Sequence, residues 1–313
     1  MTPDPRIHVT LDHLRDLERK GRDLNFLPRQ ASASVLNGRH ASRLRGRGLN
    51  FEEMRDYLPG DDIRSIDWKA TARTGKPHVR VFTEERDRPA LVVVDQRMSM
   101  FFGSRLNMKS TTAAEAAAIA AFRILDAGDR VGGIVFGDEQ QREFPPRRQA
   151  RTVYRLLESV AEMNAELHAD RHVDPKPGRL NEVLKSIARI AHHDHLVLVF
   201  SDFDGIDETT HRHLSGISAH NDMILMLLHD PIARQLEPGE NTVIGDSRMQ
   251  AELDLGSGPI REAVTAQSRN RLDRIIKWQT EIKLSVFPLS AGEETLPQLR
   301  QLLGRLRPQR RVR

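Results

Sequence analysis

The sequence contains no cysteine. That removes a disulfide framework and every thiolate metal site, and it fits a reducing compartment. Large polar aromatics are scarce as well. Two Trp and two Tyr in 313 residues offer few platforms on which nucleobases could stack. No apolar run approaches the roughly 18 residues a membrane-spanning helix needs. The opening stretch MTPDPRIHVTLDHL lacks the basic-then-apolar layout of a secretory leader, so a cytoplasmic protein is expected. A P-loop and a G-x-S-x-G nucleophile elbow are also missing, and with them the commonest signatures of nucleotide hydrolysis and serine catalysis.

What remains is a mixed, highly charged chain with 38% hydrophobic and 29% charged residues. That balance suits one large α/β domain with a smaller neighbour. The formal charge is +4, from 48 basic against 44 acidic residues. Much of the excess sits at the end, where Arg305, Arg307, Arg310, Arg311 and Arg313 crowd together. Such a tail reads first as a solvated terminus and second as a handle for nucleic acid.

Two runs organise the rest. ALVVVD, residues 90–95, and LVLVFSD, residues 196–202, are aliphatic stretches that stop abruptly at an aspartate. Continuous apolar runs of that length read as parallel strands covered on both faces. Residues at the carboxyl ends of such strands face the crevice where open α/β sheets place their ligands. Asp95 and Asp202 are therefore expected at one edge, with Asp204 nearby. Strand and helix patterns alternate through most of the following sequence. An alanine-rich helix spans 108–127, strands follow at 131–136 and 223–228, and further helices cover 150–167, 180–191, 207–219 and 260–282. A last strand at 284–289 and a closing helix at 296–306 complete the pattern, which predicts a mostly parallel sheet with helices on both faces.

Upstream lies a different kind of sequence. Leu11, Leu14, Leu17 and Leu24 recur at helical spacing before Pro28, and an arginine- and glycine-rich stretch ends at Gly48. Then come Arg55, Tyr57, Pro59, Gly60, Asp61, Asp62, Arg64, Asp67, Trp68 and Arg73, with Ile63 and Ile66 between them. Pro59-Gly60-Asp61-Asp62 is a turn in which proline presets φ, glycine takes the positive φ and aspartates bond nearby amides. So many opposite charges beside large apolar groups suggest ion pairs around a packed aromatic. Acid–base chemistry needs a raised carboxyl pKa, and neighbouring arginines push the other way. The chain is thus expected to divide into a helical segment (1–30), a small charge-rich β subdomain (31–88), an α/β domain (89–306) and a basic tail (307–313). His192-His193-Asp194-His195 carries metal-ligand types, but it precedes a strand at the edge opposite the crevice and reads as a solvated loop.

Asp95-Gln-Arg-Met-Ser99, the helix after it and the strand ending at Asp202 resemble a von Willebrand factor A-like domain. The Arg55–Arg73 block is similar to the signature of a bacterial family, number fifty-eight among domains of unknown function, whose genes commonly lie beside those for MoxR-type AAA+ ATPases. The resemblance implies a metal-ion-dependent adhesion site, normally Asp-x-Ser-x-Ser with a further hydroxyl and a further aspartate. Here Asp95, Ser99 and Asp202 match, while Arg97 and Arg179 stand at two hydroxyl positions. Guanidinium cannot ligate Mg²⁺, so the expectation is a degenerate site with Arg97 and Arg179 paired to the aspartates and no metal. The implied function is a non-enzymatic, chaperone-like partner of a MoxR-type ATPase in client remodelling, assembly or maturation. The alternatives are a Mg²⁺- or Mn²⁺-dependent hydrolase or adhesion domain using Asp95, Asp202 and Asp204, and nucleic-acid binding through the basic tail.

Overall fold

Six of the strands assemble into one sheet around central strands whose residues leave no polar face. In the computed structural model, β3 (Ala90–Asp95), β4 (Val131–Phe136) and β6 (Leu196–Ser201) are buried at every position, and β7 (Asp222–His229) at all but its ends. The structure describes residues 4–21, 24, 49–84, 88–171, 174, 176, 178–231, 241–245, 250–254, 271–282 and 284–304. Sheet order is β10-β7-β6-β3-β4-β5, where β5 is Gln141–Arg147 and β10 is Leu284–Ser290. All neighbours run parallel except β5, which pairs antiparallel with β4 at one edge. Pro145 and Pro146 lie in that edge strand, where a missing ladder donor does least harm.

Helices cover both faces. On one side α3 (Lys109–Asp126) lies against β3, flanked by α1 (Leu11–Lys20), α4 (Ala150–Ala165) and α8 (Thr295–Gly304). Alanines 113, 114, 116, 117, 118, 120 and 121 of α3 are all fully buried, and their small side chains let the helix approach the sheet closely. On the other side, Leu180, Val183, Leu184 and Ile187 of α5 (Arg179–Ile190) pack with Leu214 and Ile217 of α6 (Glu208–Ser218). Ile275 and Trp278 join that core from helical residues 271–281, labelled α7. Close packing also explains Gly133 in β4, since a Cβ there would lie 2.3 Å from the Val92 carbonyl oxygen. Among the described residues no helix is long and apolar enough to cross a membrane.

The chain divides into two compact units, one of Met1–Phe26 with Arg88–Arg313 and the other of Leu27–Asp87. In the smaller, β1 (Leu49–Asp56) pairs antiparallel with β2 (His78–Glu84), and between them stand a 3₁₀ turn (Ile63–Ser65) and α2 (Trp68–Thr74). β8 (Asn241–Gly245) and β9 (Gln250–Asp254) form a separate two-stranded hairpin, where the sequence pattern promised no regular element. The arginine- and glycine-rich stretch ending at Gly48 and the tail from residue 305 lie outside the described residues, as does the part of the 260–282 helix before residue 271.

Candidate functional site

The sheet order reverses direction between β3 and β6, and that switch point is where open α/β sheets form a crevice at the strands' carboxyl ends. Parallel pairing sets Val94 beside Phe200, so the register delivers Asp95 and, just beyond β6, Asp202 to the same place. Both carboxylates are buried, at 0% and 2% exposure. An isolated carboxylate in such a setting would be very costly, and each is instead surrounded by donors.

Asp95 is held by four groups. The Arg97 backbone N–H donates to Oδ1 at 3.0 Å, and the Arg97 side chain straddles the carboxylate with Nε 3.0 Å from Oδ1 and Nη2 2.7 Å from Oδ2. Ser201 Oγ–H donates to Oδ2 at 2.6 Å. Such a fork is the strong form of a charge-assisted hydrogen bond. Burial nevertheless raises Asp95 above the ordinary carboxylate value, with the charge of Asp202 adding to it against the pull of Arg97 and Ser201.

Asp202 has a different shell. Lys109 Nζ, on the first residue of α3, lies 2.7 Å from Oδ2, Arg97 Nη2 is 3.6 Å from Oδ1, and Arg271 Nη1 is 3.9 Å from Oδ2. The Asp204 N–H and Ser99 Oγ–H donate to Oδ1 at 3.1 and 3.4 Å. Burial alone would raise this group, but Lys109, Arg97 and Arg271 together outweigh it and hold Asp202 well below its ordinary value. The connecting residue Phe203 is 1% exposed with φ +53°, a left-handed conformation that costs about 1 kcal/mol or more in a bulky residue. Asp204 is paired with Arg271, while its carbonyl accepts from Arg97 Nη1 at 3.2 Å. Three carboxylates (Asp95, Asp202, Asp204) therefore face three cations (Arg97, Lys109, Arg271).

Arg97 stands where the sequence placed it, between the two aspartates. Arg179 does not. Its Nε donates to the Gly137 carbonyl at 3.0 Å and its Nη1 pairs with Glu182 at 2.8 Å. The helix start at Arg179 makes an i,i+3 pair with Glu182 available on its own turn, and this satisfies the guanidinium locally. The partners that sequence reading missed are Lys109 and Arg271. Neither belongs to a motif near Asp202, lying 93 and 69 residues away, and only the packing of α3 and α7 brings them in.

The small unit uses its charged block differently. Arg55 forks onto Asp61, with Nη1 and Nη2 each 2.8 Å from a carboxylate oxygen, and Asp61 also accepts the Leu58 N–H. That fork holds Asp61 below the ordinary value. Pro59-Gly60 forms the turn, with Gly60 at φ +109°. Asp62 caps the 3₁₀ turn at the Arg64 N–H, and Asp67 caps α2 by accepting from the Lys69 and Ala70 N–H groups at 3.0 Å. Tyr57 is half-buried, while Arg64 and Arg73 are exposed. The expected packed aromatic is absent, because Trp68 is 66% exposed. A seven-residue helix whose buried position is Ala70 has one narrow inner stripe, and residue 68 falls outside it.

The histidine loop stays a loop, with Asp194 at φ +58° and His193 exposed. Two other histidines also stand apart from any such cluster. His168 follows the end of α4 rather than lying on it, and His211 pairs with Glu281 at 3.2 Å. Among the described residues no three His, Asp or Glu side chains gather to hold an ion.

Comparison with known proteins gives a family. The profile described as "Protein of unknown function DUF58" matches residues 53–273, more than half of the chain. Uncharacterized proteins of Mycobacterium bovis and Mycobacterium tuberculosis are 30% identical over 241 residues, covering 77% of this chain and 71% of theirs.

Proposed function

This chain belongs to the DUF58 family of proteins of unknown function, and on that premise we propose that it is a non-catalytic protein-interaction module. In this reading the larger unit is a von Willebrand factor A-like domain, and the rim of its β3/β6 crevice docks a protein partner. The strand order supports the likeness, since a doubly wound sheet with its switch point between β3 and β6 is the layout such a domain requires. The observation that carries the functional reading is the internal balance of the crevice. Mg²⁺ seeks oxygen ligands in near-octahedral array, yet the space between the carboxylates is filled by the Arg97 guanidinium, with Lys109 against Asp202. The donor set does not fit a divalent ion. Asp202 is kept ionised and Asp95 is clamped, so neither is free to shuttle a proton.

The partner that the resemblance to family fifty-eight implies is a MoxR-type AAA+ ATPase, with this chain helping it to remodel, assemble or mature a client. The test is co-purification of the chain with such an ATPase from the same organism, in the natural form and as Asp204→Arg. The Asp204 side chain is 42% exposed at the crevice rim, where it pairs with Arg271, so reversing it alters the docking face while Asp95, Asp202 and Arg97 keep their buried contacts with one another. Retention by the natural chain and loss in the variant are expected, whereas equal retention or none by either sinks the reading. Alongside it, millimolar Mg²⁺ or Mn²⁺ is expected to leave the melting temperature unchanged. A rise of several degrees would mean that an ion binds the folded state and would restore the metal-dependent alternative.

A further inference from the structure

The small unit carries a surface that neither its own fold nor the crevice uses. Leu58, Ile63 and Trp68 are 59%, 63% and 66% exposed, and Met54 is 42% exposed. Single exposed apolar residues are ordinary, but four between positions 54 and 68, one of them tryptophan, are a concentration along the chain of the residue types that mark interaction sites. Helical spacing sets Trp68, Lys69, Ala72 and Arg73 on one face of α2, and all four are exposed.

The charges there are lopsided. Arg64, Lys69, Arg73 and Lys76 are exposed. Of the acidic residues in the same stretch, Asp61 is engaged by Arg55 and Asp67 is buried as the helix cap. Asp56 and Asp62 remain exposed, but the first pairs with His78 at 3.1 Å and the second already accepts the Arg64 N–H. Four outward cations thus stand against two outward carboxylates in this stretch, and both carboxylates are already engaged.

We infer that the face formed by Leu58, Ile63, Trp68, Lys69 and Arg73 docks an acidic, leucine-bearing segment of a partner protein. The cations recognise its carboxylates, and the indole and aliphatic groups receive its apolar side chains. Single-stranded nucleic acid fits less well, because base stacking wants successive aromatic platforms and here one indole is flanked by aliphatics. The inference is independent of the crevice and holds whichever partner that site takes.

A 16-residue fluorescein-labelled peptide with Glu and Leu at helical spacing, titrated with the full chain and followed by anisotropy, tests it. Saturable binding is expected, weakened at least about tenfold by Trp68→Ala and by Lys69→Glu with Arg73→Glu. An oligoglutamate of equal length should bind at least about tenfold more weakly, because it lacks the apolar anchor. In a Trp278→Phe chain, where Trp68 is the remaining indole, peptide should shift the emission to the blue. As a check that needs no substitution, raising salt from about 0.05 to about 0.5 M should weaken binding. Absence of binding, equal affinity in the charge-reversed chain, or an unshifted Trp68 emission overturns the proposal. So does oligothymidylate binding as tightly as the peptide and displacing it, which would assign the face to nucleic acid.

Discussion

The larger and smaller units both contain an arginine forked onto an aspartate, in opposite surroundings. Arg97 and Asp95 have side chains 5% and 0% exposed, whereas Arg55 and Asp61 are at 37% and 14%. In the first case water is gone, each charge depends wholly on its neighbours, and removal of one strands the others. In the second, solvent can replace a lost partner. Similar geometry therefore carries different energies, and the burial around a pair decides how much it matters.

The largest break in that comparison should come from Arg97→Ala. It leaves Asp95 clamped only by Ser201 and one backbone N–H, and should cost about 3–5 kcal/mol, read as a drop in the urea midpoint. Arg55→Ala should cost only about 0.5–1 kcal/mol in the same assay. A result near 1 kcal/mol for Arg97→Ala would mean that the crevice is wetter than its burial implies.

The two tryptophans sharpen the contrast without charge. Trp278, 4% exposed in the core beside α6, should cost about 3–5 kcal/mol on truncation to alanine. Trp68→Ala should change stability by no more than about 0.5 kcal/mol, so a weakened partner interaction in that variant cannot be traced to unfolding.

Acid provides the smallest and most specific probe. Asp202 lies below its ordinary 3.8 in the folded chain, so the unfolded chain takes up a proton there first. The stability it contributes is present above about pH 4 and is lost as the pH falls through the depressed folded value. Asp95, which burial raises, acts with the opposite sign, and its share weakens as pH rises through its folded value. The urea midpoint should therefore fall between about pH 4 and pH 2.5, more steeply in the natural chain than in Asp202→Asn. Matching slopes would show that other carboxylates, Asp61 and Asp207 among them, carry the acid limb.

Much of the architecture was legible before any coordinates. The aliphatic runs at β3, β4, β6 and β7 could hardly be anything but doubly covered strands, and the alanine-rich stretch became α3 within a residue of each expected end. Asp95, Asp202 and the plugging Arg97 were legible too, because they lie at or next to strand ends whose direction the pattern implies. Arg179 was misjudged because a loop residue's partner depends on loop length, and Glu182 was the nearer choice. Trp68 was misjudged because a large apolar residue in a charged block looks like a core residue until the helix carrying it proves too short to bury it.

What the sequence determined alone is whatever depends on neighbours within a few positions: strand and helix periodicity, the Pro59-Gly60 turn, the caps at Asp62 and Asp67, and the two-residue reach from Asp95 to Arg97. Tertiary structure decided which distant cations complete the cluster. Lys109 and Arg271 reach Asp202 only because α3 packs on one face of the sheet and α7 on the other. Electrostatic pairing acts through space and falls with distance and with solvent, and no local pattern in the chain encodes either.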